Sequence, residues 1–317
     1  MVQYAIRRIM QFLFVLFSLT VLIFILLKTM PGDPARVMAG VGPTQATIEQ
    51  IRADLGLDRP LLVQYWRLVS GLFDGRLKAI TYHKTVWSVI LDRLPATLEV
   101  GFFAMAIVMI IAIPAGLLSA VHRGSLVDYG VTTIALLGIS VPVFWFGLML
   151  MLLFGVILKV LPVCGRGSVV WGLSFLTLDG LRHLIIPAIT LASVQIAMNV
   201  RLLRSNMLEV MYREFINTAR AKGLSEGKVI VKHALRNALS PMVTNIGMEL
   251  RSLYAGAVLT ETVTAWPGIG RLMYDAIIRQ DEAVVFGLSL FVAATSLISY
   301  LVVDLLYVYI DPRISYD

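Results

Sequence analysis

Apolar residues fall along this chain in long runs separated by shorter polar stretches, which is the pattern of membrane spans rather than of half-buried helices. The first run, Ile9 to Met30, follows Arg7 and Arg8 and is broken only by Lys28 near its end. At about 1.5 Å per residue it crosses the ~30 Å hydrocarbon layer. A cleaved signal peptide has the same basic-then-apolar order, but this run exceeds the usual apolar region and no small-residue cleavage site follows. A retained first helix with its amino end inside is therefore expected. Further runs cover Ala96 to Ala120, Val131 to about Leu158, Leu184 to Val200, Met242 to Val263 and Val284 to Ile310. The pattern predicts an all-α integral membrane protein of six transmembrane helices.

The polar stretches predict smaller elements. Pro31-Gly32-Asp33-Pro34 is a turn that stops the first helix. One short helix is expected to start near Thr47, with Gln50 three residues on, and to stop at Gly56. Another is expected to have Asp58 as its cap and Pro60 in its first turn, running to about Phe73 before Gly75. Together they form a small helical external subdomain lying on the membrane surface. Val169 to Leu181 is too short and too broken by glycine to span, and reads as a further external segment.

One polar stretch differs from the rest. Between Arg201 and Pro241 stand eight basic residues, Arg201, Arg204, Arg213, Arg220, Lys222, Lys228, Lys232 and Arg236, against Glu209, Glu214 and Glu226. Such a loop belongs on the cytoplasmic side. Phe215, Ile216, Ala219 and Leu224 are interleaved with polar residues at helical spacing, and Gly223 stands where a helix would end on a left-handed residue. The loop is built as a folded handle. An even number of crossings returns the carboxyl terminus to the cytoplasm, and Thr264 to Ala283, with two arginines against Asp275, Asp281 and Glu282, falls outside.

Composition narrows the class. Hydrophobic residues make up 58% of the 317 and charged residues only 15%, far from a soluble domain. The net charge of +7 sits in short loops beside apolar runs with no aromatic-interleaved basic face, so it reports orientation and not a nucleic-acid partner. Cys164 is the one cysteine, which excludes an internal disulfide and a multi-cysteine metal site. The four histidines fall in four different loops, so no metal is expected.

A search for catalytic chemistry returns little. Gly223-Leu224-Ser225-Glu226-Gly227-Lys228 has three residues between its glycines instead of four, and no Ser or Thr follows the lysine, so it is not a phosphate loop. Neither a G-x-S-x-G nor an H-E-x-x-H pattern occurs. The chain is read as a non-enzyme. Charges within the spans are the remaining candidates, since an intramembrane charge must be paired or wetted. Glu99 and Asp304 lie near span ends and read as structural pairs or interfacial side chains. Glu249 and Arg251, well inside a span and two residues apart, read either as lining a translocation pathway or as structural partners. Pro114-Ala115-Gly116, Gly138 to Pro142 and Pro187 interrupt the apolar runs and read as ordinary helix packing rather than as a gating hinge. A stand-alone ion-coupled secondary transporter would use such charges, but it predicts inverted repeats, which the sequence does not show.

Thr218-Ala219-Arg220-Ala221-Lys222-Gly223-Leu224, followed by His233-Ala234-Leu235-Arg236-Asn237-Ala238 and Pro241, resembles the cytoplasmic EAA loop of binding-protein-dependent ABC permeases. The form is that of the dipeptide, oligopeptide and nickel branch, first permease of the pair. Arg7-Arg8, Met30 to Pro34, Leu94 to Glu99, Glu261 with Trp266 to Arg271, Asp304 and Asp311-Pro312-Arg313 fit the same branch in order. Asn217, Thr218 and Arg236 depart from the general EAA pattern, and Asp74 to Leu77 departs from the Gly-Asp-Leu-Gly stretch usual in the branch.

The resemblance implies a type I importer fold in the inner membrane, with residues 1–30 as first helix, 31–95 as periplasmic subdomain, 96–310 as a five-helix core carrying the coupling loop 201–241, and 311–317 as cytoplasmic tail. It implies that Glu214, Thr218, Ala219, Arg220, Lys222, Gly223 and Leu224 couple to an ATPase, with Ala219 and Gly223 small enough for close docking and the basic residues pairing with acids at the groove's rim. Glu261, Trp266 and Arg271 would meet the binding protein. The partners implied are a second homologous permease, two ABC ATPase subunits, a periplasmic or lipid-anchored solute-binding protein and the bilayer. ATP and magnesium would be bound by those subunits, with no cofactor on this chain. Peptides are the expected solute, and nickel, glutathione, opines or oligosaccharides are the alternatives within the branch.

Overall fold

A backbone in lipid must satisfy its N–H and C=O groups within the protein, and helix does so over each apolar run. The structure is a computed structural model that describes residues 2–40 and 42–310, with side chains for 10–40, 42–242, 245 and 257–299. Helix α1 covers Val2–Thr29. After it come α2 (Pro34–Ala39), with Asp33 accepting from the Ala35 N–H, and α3 (Gln45–Leu55), which ends on Gly56 at φ +67° as expected. The α3 cap is Thr44, which accepts from the Thr47 N–H, so the expected start at Thr47 is three residues late. Helix α4 covers Leu61–Phe73 and has Pro60 in the cap position in place of Asp58. A two-residue hairpin, β1 (Lys78–Ala79) with β2 (Lys84–Thr85), leads into α5 (Val86–Val121).

Helix α5 begins ten residues before the apolar run at Ala96 and continues through Pro95, Pro114 and Gly116, so Pro114 does not break it. The helix does break at Gly138 to Pro142: α6 (Leu126–Ser140) and α7 (Val143–Leu150), the latter extended by a π-helical turn Met151–Ile157, meet at 105°. Helix α8 (Leu178–Met211) retains Pro187 inside it. Then come α9 (Glu214–Ala221), α10 (Glu226–Lys228), a π-helical stretch Val229–Leu235, α11 (Arg236–Val263), α12 (Ile269–Ile278) and α13 (Glu282–Ile310). Among the described residues, Met10–Thr29, α5, α8 and Glu282–Ser299 are each long and apolar enough to cross a bilayer, and α6 with α7 forms a bent fifth candidate. Helix α11 covers the expected run at Met242 to Val263.

The chain forms two compact units, one from residues 1–95 with 268–317 and the other from 96–267. In the first, Phe24 and Leu27 of α1, Leu72 of α4, Val86 and Ile90 of α5, and Phe286 and Leu288 of α13 share a buried cluster. Lys28 and Glu282 pair at 2.7 Å where α1 ends and α13 begins. Asp281 accepts from the N–H groups of Thr81 (2.9 Å) and Val284 (3.2 Å). Burial pushes its carboxyl above the usual range, against the pull of those donors.

The second unit has an alanine-rich core: Ala104, Ala112, Ala192, Ala197, Ala234 and Ala238 are buried with Leu203, Met207 and Ile216. Small residues let helix backbones approach where lipid supplies no hydrophobic drive. A Cβ on Gly116 would lie 3.0 Å from Leu203 Cβ and 3.1 Å from the Val200 carbonyl, and one on Gly147 would lie 2.9 Å from Thr190 Cγ2. These two glycines set the contacts of α5 and α7 with α8.

Candidate functional site

The 201–241 loop is a folded extension of the helix before it. Helix α8 does not stop at Val200 where apolar character fades, but runs on to Met211, burying Leu203, Met207 and Val210 at helical spacing. The chain turns at Tyr212, and α9 buries Ile216 and Ala219, three residues apart on one face, in the same cluster. Val229, Ala234 and Ala238 complete it on the return. The loop is therefore packed into the core of its own unit, which makes it a rigid knob.

The opposite face of α9 presents Glu214, Phe215, Asn217, Thr218 and Arg220. The Thr218 hydroxyl donates to the Glu214 carbonyl at 3.1 Å. Gly223 has φ +75°, the left-handed conformation expected of it, with nothing within 4 Å of where a Cβ would sit. Beside it Lys222 and Leu224 are exposed, and Tyr212 and Val231 add apolar surface. Arg220 reaches across the turn to Glu226 at 2.6 Å, and that guanidinium holds the Glu226 carboxyl below its usual range. Arg213 pairs with Glu209. Two expectations are corrected here. Ala219 turns inward because its face of the helix packs in the cluster shared with α8 and α11, so it presents almost no surface. Arg213 and Arg220 are engaged by acids of this chain.

A buried cluster that sequence reasoning missed lies at the base of the knob. Asp128, in the first turn of α6, accepts from Arg204 Nε at 2.7 Å and Nη2 at 2.8 Å, from Ser119 Oγ at 2.5 Å and from the Gly124 N–H at 2.9 Å. It ties α5, α6 and α8 together. The available signal was a lone acid one turn after Ser125, the residue that caps α6.

Glu99 is a structural partner, as its place near a span end implied: it accepts from Arg166 Nε (3.1 Å) and Nη2 (2.7 Å), and from the backbone N–H and hydroxyl of Ser174 (2.5 and 2.9 Å). Glu261 and Trp266, expected to meet a binding protein, have their side chains buried. Glu261 accepts from Thr97 at 2.6 Å, and Trp266 Nε1 donates to the Ala96 carbonyl at 2.8 Å beneath the Arg166 guanidinium. They hold the start of the loop after α11 and present no contact face. Arg271, on α12, lies 3.8 Å from Asp275. Glu249 and Arg251 stand on α11, and their side chains lie outside the described residues.

Two family models match the chain. One, described as the binding-protein-dependent transport system inner membrane component, covers residues 112–316; the other, the N-terminal part of such membrane components, covers 1–101. The dipeptide transport system permease protein DppB of Escherichia coli (strain K12) is 40% identical over 337 residues, spanning 100% of this chain and 99% of that protein. The di/tripeptide transport system permease protein DppB of Pseudomonas aeruginosa is 42% identical over the whole of both chains. The oligopeptide transport system permease protein AppB of Bacillus subtilis is 36% identical, again over the whole of both. With its apolar helices and knob-like loop, this chain is a multi-pass membrane protein that belongs to the inner membrane components of binding-protein-dependent transport systems.

Proposed function

We propose that this chain is the permease subunit of an ATP-driven importer for di- and oligopeptides, and that the 201–241 knob is its coupling element. The observation that carries the coupling role is the two-faced α9: Ile216 and Ala219 anchor it in the chain's own core, while Phe215, Leu224 and Lys222 stand free on its outer side. An apolar centre with charged flanks is the form of a docking knob. The peptide substrate is supported by the three full-length relatives, each named as a peptide permease.

In this reading six helices cross the membrane, with α11 as the fifth and both termini in the cytoplasm. A second, homologous permease completes the pathway. Two ATPase subunits bind ATP and magnesium and grip one knob each, and a solute-binding protein delivers peptide from outside. Nucleotide-driven closure of the ATPases moves the knobs as rigid bodies and swings the spans between inward-open and outward-open states. Glu214, Thr218, Arg220, Lys222, Gly223 and Leu224 shape or present the knob, and Ala219 supports it from within.

The test is co-purification. Phe215→Asp with Leu224→Asp places two charges on the outer face without touching the core. The full complex should then lose its ATPase subunits on purification, and peptide uptake should fall with them. Retention of both at the native level would refute the coupling role.

A further inference from the structure

Helix α4 was expected to lie on the membrane surface. Its contacts put it lower. Tyr65 stacks edge-on against Phe24 of α1 at 5.4 Å between ring centroids, and its hydroxyl lies 2.7 Å from that of Thr20. Lys28, paired with Glu282, marks the end of the α1 span. Phe24 and Thr20 lie four and eight residues back from Lys28, which is ~6 and ~12 Å at the helical rise. Helix α13 repeats the measurement, because Leu72 packs on Gly287, five residues inside the Lys28–Glu282 level or ~7.5 Å. Both ends of α4 thus sit at the depth of the upper acyl chains.

The face of α4 turned from the core fits that depth. Leu62 is 82% exposed, Trp66 66% and Phe73 77%, spaced four and seven apart, with Leu61 and Val63 exposed beside them. The polar side chains of α4 are turned elsewhere or satisfied locally. Gln64 donates to the carbonyls of Leu57 and Arg59, Arg67 to that of Asp54, and the Ser70 hydroxyl to its own helix at Trp66. The stripe itself is apolar from Leu62 to Phe73, and the exposed charges near it stand off its face or beyond its ends: Arg67 is turned back to the Asp54 carbonyl, Arg59 precedes the helix, and Arg76 pairs with Asp74 after it. At this level α1 also exposes bare apolar side chains, Leu22, Ile25 and Leu26.

We propose that α4 is embedded in the lipid leaflet at the α1 C-terminal end, its Leu62–Trp66–Phe73 stripe bathed by phospholipid acyl chains. Trp66 is suited to the boundary between headgroups and chains. The stripe anchors the segment that follows the first span at a fixed height in the bilayer. The inference requires only that α1 crosses the membrane and is independent of which solute is carried.

Spin-label accessibility tests it on the full chain in nanodiscs of phosphatidylethanolamine and phosphatidylglycerol. Cys164→Ser removes the one native cysteine, and L62C, W66C and F73C place a label on the stripe, with E49C on α3 as the aqueous reference. The expected result is loss of broadening by an aqueous nickel chelate at the three stripe positions relative to E49C, with broadening by oxygen retained. Nickel broadening equal to that at E49C would place the stripe in water and overturn the proposal. Exclusion of both reagents would mean that protein covers the stripe, and would overturn it equally.

Discussion

At the scale of single residues, the buried charges show what the chain invests in holding its shape. Glu99 is 4% exposed and depends on Arg166, with Ser174 supplying the remaining donors. Removing one partner of a buried pair leaves an uncompensated charge, at a cost of about 3–5 kcal/mol, whereas replacing both can be nearly neutral. Arg166→Met should therefore lower the melting temperature of the purified chain sharply, and Glu99→Gln combined with Arg166→Met should recover most of the loss; equal melting of the two variants would contradict the pairing. The sequence announced half of this pair. A carboxylate at the edge of an apolar run needs a partner, but Arg166 lies 67 positions away in an irregular segment whose path no periodicity describes. Glu261 and Trp266 differ in origin: their outward role was implied by the resemblance and by no pattern in the residues, and the fold shows both buried, Glu261 against Thr97 and Trp266 against the Ala96 carbonyl.

At the scale of elements, the chain's apolar runs foretold where helices lie better than where they begin. Gly56 and Gly223 end their helices as read, since a left-handed residue is a local requirement. The start of α5 was missed because Asp92, Arg93 and Pro95 look like loop, while Val86, Val89 and Ile90 bury one side of the helix in the first unit's core. Pro114 and Pro187 both stay inside continuous helices, Pro114 on an exposed face of α5 and Pro187 buried in α8, because one lost backbone bond is tolerated when the turns on either side hold. The head of α13 carries a testable charge. Asp281 holds its proton to higher pH in the folded state than in the unfolded chain. Its contribution to folding is therefore complete below the ordinary carboxylate pKa of about 4 and is lost as pH rises through the elevated value. Asp281→Asn keeps one acceptor oxygen, so it loses the bond from Thr81 or the one from Val284 at a cost that does not depend on pH, but it carries no charge, so its melting temperature should gain on that of the native chain as pH rises through this window. A difference that stays constant with pH would show that the Asp281 carboxyl does not titrate differently on folding.

At the scale of the whole molecule, force applied to the knob must reach the spans, and that depends on the knob having one shape. Its outer side chains give a partner something to hold; its inner ones, Ile216, Ala219 and Val229, join it to α8 and α11. Gly223 separates shape from contact. Nothing lies within 4 Å of its missing Cβ, so a larger side chain there meets no clash, and only the backbone conformation at φ +75° resists substitution. A β-branched residue pays roughly 1–2 kcal/mol in that region, whereas asparagine adopts it readily. Gly223→Val should therefore open the turn between α9 and α10 and weaken ATPase coupling, with the melting temperature of the spans little changed because the strain lies outside their core. Gly223→Asn should restore coupling although it adds a side chain of similar size. Measured as peptide-stimulated ATPase activity in the reconstituted complex, failure of valine with rescue by asparagine assigns the effect to backbone geometry. Equal failure of both would mean that the glycine is needed for close approach of the partner, and equal success would mean that the turn's shape does not carry the force.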